Sequence, residues 1–167
     1  AKELEKKGAK VIHLEIGEPD FDTPEYIKEA AAKALKAGYT HYTPAPGILE
    51  LRQAISEKVS KERGIDVDPN REVIVMPGAK PGLFTGILST INPGEEVLVP
   101  DPGFPIYRSV VEFIGAVAVS IPLNEEKNFR MDPEDVRRKV TAKTKMLILN
   151  SPHNPCGSAL LKNDIEA

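Results

Sequence analysis

Asn154, followed by Pro155 and Gly157, puts a carboxamide that can both donate and accept a hydrogen bond on a stiff turn. The turn comes directly after residues 145–149, an apolar run that reads as a buried strand. The amide is therefore expected at the carboxyl edge of a sheet, where open α/β sheets hold their ligands. At residues 76–80 an expected strand passes through Gly78 and Ala79 into an expected helix beginning at Lys80. Backbone N–H groups left free at such a helix start, with the positive end of the helix dipole, suit a phosphate or a carboxylate. Phe104, between the stiffening prolines Pro102 and Pro105, stands just past a third strand end, where an aromatic can stack on a planar ring.

Two further turns add to this set. Tyr42, in the proline-rich stretch 41–47, carries a phenol that could reach a phosphate or cover the core. Gly17, in Gly-Glu-Pro-Asp, permits close backbone approach, which suits a substrate carboxylate or a tight turn. Each residue also has a plain structural role: strand–helix turns need Gly, Phe fills cores and Asn-Pro starts turns. Cys156 beside His153 has no evident positioned base, so a turn residue is a better reading than a thiol nucleophile. Neither a P-loop spacing nor Gly-x-Gly-x-x-Gly occurs. Polar turns converging on one sheet edge describe a small-molecule site.

The elements that must position these turns follow from periodicity. A short helix closed by Gly8 precedes a strand at residues 11–16. Asp22, Thr23 and Pro24 start a helix, with Pro at its first position, that runs to about Lys36 and stops at Gly38. Its apolar face is Ile27, Ala30, Ala31, Ala34 and Leu35. A helix from about Leu49 to Gly64 repeats Leu51, Ile55 and Val59. Strands at 72–76, 96–100, 116–122 and 145–150 then alternate with helices at 80–90, 104–114 and 133–140, the last capped by Asp132, and a further helix begins near residue 162. This order predicts an α/β fold: a three-layer α/β/α arrangement around a mostly parallel sheet.

Composition excludes several classes. A net charge of −3 with interspersed signs gives no basic patch, which argues against nucleic acid. No apolar run approaches the roughly 20 residues of a membrane helix. One cysteine excludes an internal disulfide and a cysteine zinc cluster, and three scattered histidines give no metal motif. A reducing, cytoplasmic setting is the expectation. The chain opens inside a helical pattern and closes where a helix begins, so a fragment of a longer protein is expected.

Four motifs in order resemble one family. They are Gly-Glu-Pro-Asp-Phe-Asp-Thr-Pro at 17–24, Tyr-x-Pro-x-x-Gly-x-x-Glu-Leu-Arg at 42–52, Pro-Asp-Pro-Gly-Phe-Pro-x-Tyr at 100–107 and Asn-x-Pro-x-Asn-Pro-x-Gly at 150–157. The chain resembles the N-terminal part of a class I/II aminotransferase, a pyridoxal-phosphate enzyme of fold type I. The resemblance implies that the backbone at Gly78, Ala79 and Lys80 holds the cofactor phosphate and that Phe104 stacks on the pyridine ring. It implies that Asn154 bonds the ring's phenolic oxygen, that Gly17 lies where the substrate carboxylate is held, and that Tyr42 reaches the phosphate bound by the other subunit of a homodimer. Residues 1–38 would contribute to a small domain and the substrate pocket, and residues 39–167 would form part of the large cofactor domain. Cys156 replaces the usual Thr of that last turn. The Schiff-base Lys, its partner Asp and a carboxylate-binding Arg are expected beyond residue 167, so no catalytic residue and no metal ligand is assigned here. The 167-residue segment alone is expected to be inactive. The expected activity of the intact protein is transfer of an amino group between an L-amino acid and a 2-oxo acid. Its rivals are a lyase or aminocyclopropane-carboxylate-synthase-like enzyme of the same fold, and a sensor domain of a transcription regulator.

Overall fold

A computed structural model of the chain describes residues 1–13 and 17–167. Two compact units divide it, Ala1–Ala45 and Pro46–Ala167.

The first unit holds α1 (Lys2–Lys6) and α2 (Glu25–Lys36). Helix α2 carries Glu25 in its first turn and Lys33 and Lys36 in its last, the order that complements the helix dipole. It ends before Gly38, whose φ of +88° is open to glycine at little cost. Pro24 stands at the N-cap with ψ 140°, one place earlier than expected. The expected apolar face of α2 buries none of its residues, and only Ala34 is half-covered. Among the described residues of this unit no element covers that stripe. The expected strand at 11–16 is absent over residues 11–13, which have no strand partner, and residues 14–16 lie outside the described residues.

The second unit carries the sheet. It runs α3 (Leu49–Arg63), α4 (Ala79–Thr90), β1 (Glu96–Asp101), α5 (Ile106–Phe113), β2 (Val117–Pro122), α6 (Pro133–Lys139), β3 (Thr144–Leu147) and α7 (Lys162–Glu166). The three strands lie in the order β2-β1-β3, and both pairings are parallel. β1 is central, and Val97, Leu98, Val99 and Pro100 in it are all buried, the near-continuous apolar run of a strand covered on both faces. On one face Val97 and Val99 pack with Ile87 and Ile91 at the end of α4 and Val110 and Val111 of α5. On the other, Leu98 packs with Ile121, Leu123 and Met131, with Val136 of α6 against them. Helices therefore cover both faces of a parallel sheet, the α/β class expected. Asp132 caps α6 by accepting the Glu134 N–H at 2.9 Å, with Pro133 at the first helical position.

Three sequence expectations are corrected in this unit. Residues 72–76 are extended but form no strand. Val75 N–H donates to Pro46 O at 3.0 Å, and no described strand lies beside the segment to complete a ladder. The last strand is Thr144–Leu147 rather than 145–150: an irregularity at Glu96 and Val97 shifts its register, and beyond it Ile148 N–H still donates to Leu98 O at 3.0 Å. In α3 the stripe of Leu51, Ile55 and Val59 is only partly covered, with Ile55 and Val59 half-buried. Leu51 is exposed, whereas Arg52 and Ser56 are buried. The Arg52 guanidinium donates to Gly47 O at 3.1 Å and Pro69 O at 2.6 Å, and Ser56 Oγ donates to Val67 O at 2.5 Å. Polar side chains tie α3 to the turns on either side of it.

Candidate functional site

The chain leaves β1 through α5 to β2 on one side, and reaches β3 through α6 on the other. The winding direction reverses at β1, so a crevice is expected outside the carboxyl ends of β1 and β3. Phe104 lies three residues past β1 and Asn154 seven past β3. Both turns therefore border the reversal point.

The start of α4 leaves backbone donors free, as helix starts that hold anions do. Gly78 is its N-cap with φ +91° and no side-chain cap, so its first-turn N–H groups are not satisfied by a side chain. The Gly78 N–H is already used, donating to Met76 O at 2.9 Å, and Pro81 has no N–H. Ala79 and Lys80 are left as the donors at the tip, and both are exposed. Lys80 Nζ lies 5.7 Å from the centroid of the Phe104 ring. That contact puts the helix start and the aromatic turn next to each other and adds a full positive charge to the helix dipole.

Phe104 is half-buried and held by its neighbours. Tyr107, itself buried, meets it edge-on with centroids 5.9 Å apart and planes at 85°. Burial pushes the Tyr107 phenol up from its usual value, so it stays neutral near pH 7. The turn before Phe104 is tight: a Cβ on Gly103 would stand 2.3 Å from the Pro100 carbonyl oxygen. Beyond the turn, Ser120 Oγ donates to Asp101 Oδ2 at 2.9 Å, and Arg108 donates to the same hydroxyl at 2.5 Å. A depression of about 230 Å³ lies here, lined by Val99, Asp101, Phe104, Tyr107 and Arg108 among others.

Asn154 is exposed, and its backbone N–H donates to Asn150 Oδ1 at 2.7 Å. The turn closes on His153: its N–H donates to Ser158 O, its carbonyl accepts the Gly157 N–H, both at 2.7 Å, and its Nδ1 accepts the Cys156 N–H at 3.4 Å. Cys156 is half-buried, and its thiol is free.

The structure thus brings the Lys80 side chain to Phe104, with Ala79 at the same helix start as Lys80 and Asn154 on the turn that follows β3. Tyr42 is fully exposed and Gly17 is exposed, both in the first unit. Among the described residues no group of three His, Cys, Asp or Glu could hold a metal ion, and no helix is long and apolar enough to cross a membrane. Sequence reasoning missed the Gly103 contact, the Arg52 clamp and the buried His153 ring. Only Gly103, between Pro102 and Phe104, left a readable trace, because a glycine inside a stiff turn marks a close approach.

The arrangement is thus two exposed N–H donors at a helix start, an ammonium 5.7 Å from an aromatic ring, and a carboxamide on the turn that follows the neighbouring strand. A family model described as "Aminotransferase class I and II" matches residues 9–167. The aspartate aminotransferase of Pyrococcus abyssi is 49% identical over 156 residues, 93% of this chain and 40% of its own length. The aspartate/prephenate aminotransferase of Thermus thermophilus is 46% identical across 100% of this chain and 43% of its own. Among solved structures, the Thermus thermophilus aspartate aminotransferase with maleate superposes with a TM-score of 0.90 at 44% identity, over 99% of this chain and 43% of that one. The aromatic aminotransferase of Pyrococcus horikoshii gives 0.88 at 46%, over 99% and 45%. The chain thus spans about two fifths of the length of the curated relatives it matches. With the family match covering nearly all of the chain, and the superpositions preserving the sheet that carries these turns, this chain belongs to the class I and II aminotransferase family.

Proposed function

We propose that the protein carrying this chain is a pyridoxal-phosphate-dependent aminotransferase that moves an amino group between an L-amino acid and a 2-oxo acid. One observation carries the reading: Lys80, in the first turn of the uncapped α4, carries its ammonium to 5.7 Å from the centroid of the Phe104 ring. In this reading the Ala79 and Lys80 N–H groups bind the phosphate, and Gly78 supplies the backbone turn that aims them. Phe104 stacks on the pyridine ring, with Tyr107 fixing its tilt. Asn154 bonds the ring's phenolic oxygen. Gly17 takes the substrate carboxylate, and Tyr42, exposed on a proline-stiffened loop, reaches the phosphate of a second copy in a homodimer. The cofactor supplies an electron sink for the substrate's α-carbon, and this segment supplies its cradle. Residues 1–38 serve a small domain and the substrate pocket, and residues 39–167 the large domain. No residue of this chain is assigned a covalent or proton-transfer role. The lone thiol of Cys156 fits a cytoplasmic setting.

The test uses the full-length protein. Cofactor-free protein is titrated with pyridoxal phosphate, and L-amino acids are assayed with a 2-oxo acid acceptor, beginning with aspartate and the aromatic amino acids for which the relatives are named. Saturable binding with acceptor-dependent amino transfer is expected. Binding with acceptor-independent release of ammonia would make the protein a lyase, and absence of binding would end the reading.

A further inference from the structure

The turn that carries Asn154 is organised around an imidazole the proposed chemistry does not use. His153 is 7% exposed. Its main chain makes two of the turn's hydrogen bonds, to Ser158 and Gly157, and its ring Nδ1 accepts a third from Cys156. With Nδ1 accepting, the proton of the neutral ring sits on Nε2. That nitrogen is buried and has no hydrogen-bond partner among the described residues. The ring borders a small cavity lined by Leu123, Phe129, Met131, Leu149, Asn150, Ser158 and Leu160, none of which can ionise. These come from the segments after β3 and β2 and from the stretch after the turn, so among the described residues lining this cavity none offers the ring a counter-charge. Lys143, Lys145 and Lys162, the nearest charges in sequence, are exposed, and Arg130 and Asp164 pair with each other at 2.9 Å.

We propose that the His153 imidazole is the positioning residue of the Asn154 turn, shaping it while neutral and releasing it when protonated. Protonation puts a hydrogen on Nδ1, which removes the acceptor for the Cys156 N–H and leaves a charge among apolar side chains. Burial already holds the ring below its usual value, in the direction that keeps it neutral near pH 7. Asn154, the next residue, then loses the fixed backbone from which its amide reaches the ligand. The inference rests on the proposed function only in naming pyridoxal phosphate as that ligand.

The test compares the full-length protein with His153→Asn and His153→Leu. An Asn oxygen can accept the Cys156 N–H but does not titrate, and Leu can do neither. The dissociation constant for pyridoxal phosphate is measured on cofactor-free protein between pH 5 and pH 8. Exchange of the Cys156 and Gly157 amides is followed by mass spectrometry over the same range. In the parent, affinity is expected to weaken by roughly three- to tenfold as pH falls through and below the ordinary histidine range, the scale of one lost hydrogen bond. Amide exchange should quicken over the same interval. H153N should keep the neutral-pH affinity and respond less to pH, and H153L should be weak and poorly protected throughout. If the cofactor binds but the parent and H153N share one pH profile, or H153L binds and exchanges like the parent, His153 does not position the turn. If no cofactor binds, the functional reading fails, and amide exchange alone decides the role of His153.

Discussion

Gly103→Ala is the sharpest perturbation of the aromatic turn. The added Cβ would sit 2.3 Å from the Pro100 carbonyl oxygen, and real Cβ contacts essentially never fall under 3.0 Å, so the two must part by at least 0.7 Å. A flexible side chain could swing away, but this obstacle is backbone at the buried end of β1, where Pro100 is in register with Ile121 of β2. The strain must therefore spread into the ladder or into the turn itself. Forced overpacking of this kind costs about 1–3 kcal/mol, and the cheaper escape is to shift the turn that holds Phe104. A ring displaced by that amount would lose part of the stacking proposed for it. The expected result is a fall in unfolding free energy of about 1–3 kcal/mol with weakening of pyridoxal-phosphate affinity by about tenfold or more. Urea unfolding and cofactor titration of the full-length variant read the two effects separately. Gly78→Ala is the contrast: nothing lies within 4 Å of its Cβ, but its φ of +91° strains any other residue, so its cost comes from backbone alone. Should Gly103→Ala unfold and bind within error of the parent, the close contact and the reasoning built on it are wrong.

Replacing Arg52 by Leu strands two carbonyls, Gly47 O and Pro69 O, that now share one guanidinium. A loss of about 2–4 kcal/mol is expected by urea unfolding, with Arg52→Lys recovering only part because an ammonium lacks the fork that spans both acceptors. Asp132 is held below its usual value first by its hydrogen bond from Lys127 and then by the Glu134 N–H. A carboxylate depressed by folding stabilises above its unfolded value and loses that contribution as pH falls through the folded one, so the effect belongs below about pH 4. Thermal unfolding should show Asp132→Ala lowering the midpoint at pH 7, Asp132→Asn restoring part through its cap oxygen, and both variants losing the parent's acid-limb dependence.

The α/β class was legible because β1 is apolar without alternation and because Asp132 with Pro133 marks a helix start that local chemistry alone decides. The turns at Lys80, Phe104 and Asn154 were legible because Pro and Gly constrain the chain wherever it folds. Residues 72–76 were misread for a physical reason: an extended, β-branched segment becomes a strand only when a neighbour supplies hydrogen bonds, and periodicity cannot see the neighbour. Arg52 and Ser56 were passed over because side chains that bond to distant carbonyls leave no periodic trace. The meeting of Lys80 with Phe104 depends on how α4 packs beside α5, which is set by the core around Ile87, Val110 and Val111 rather than by either residue's surroundings in sequence.

The central place of β1 in the order β2-β1-β3 also bears on the order of assembly. β1, α5 and β2 are contiguous in the chain from Glu96 to Pro122, whereas β3 starts only at Thr144. Closing the first pair needs a shorter excursion of chain than adding the third strand, and contacts of smaller sequence separation form first at lower entropic cost. Trimming Val111 or Ile121, buried beside β1, should therefore slow refolding, while trimming Met146 in β3 should mainly hasten unfolding. Stopped-flow rates on the three variants would show whether this sheet grows outward from its middle strand, one side before the other.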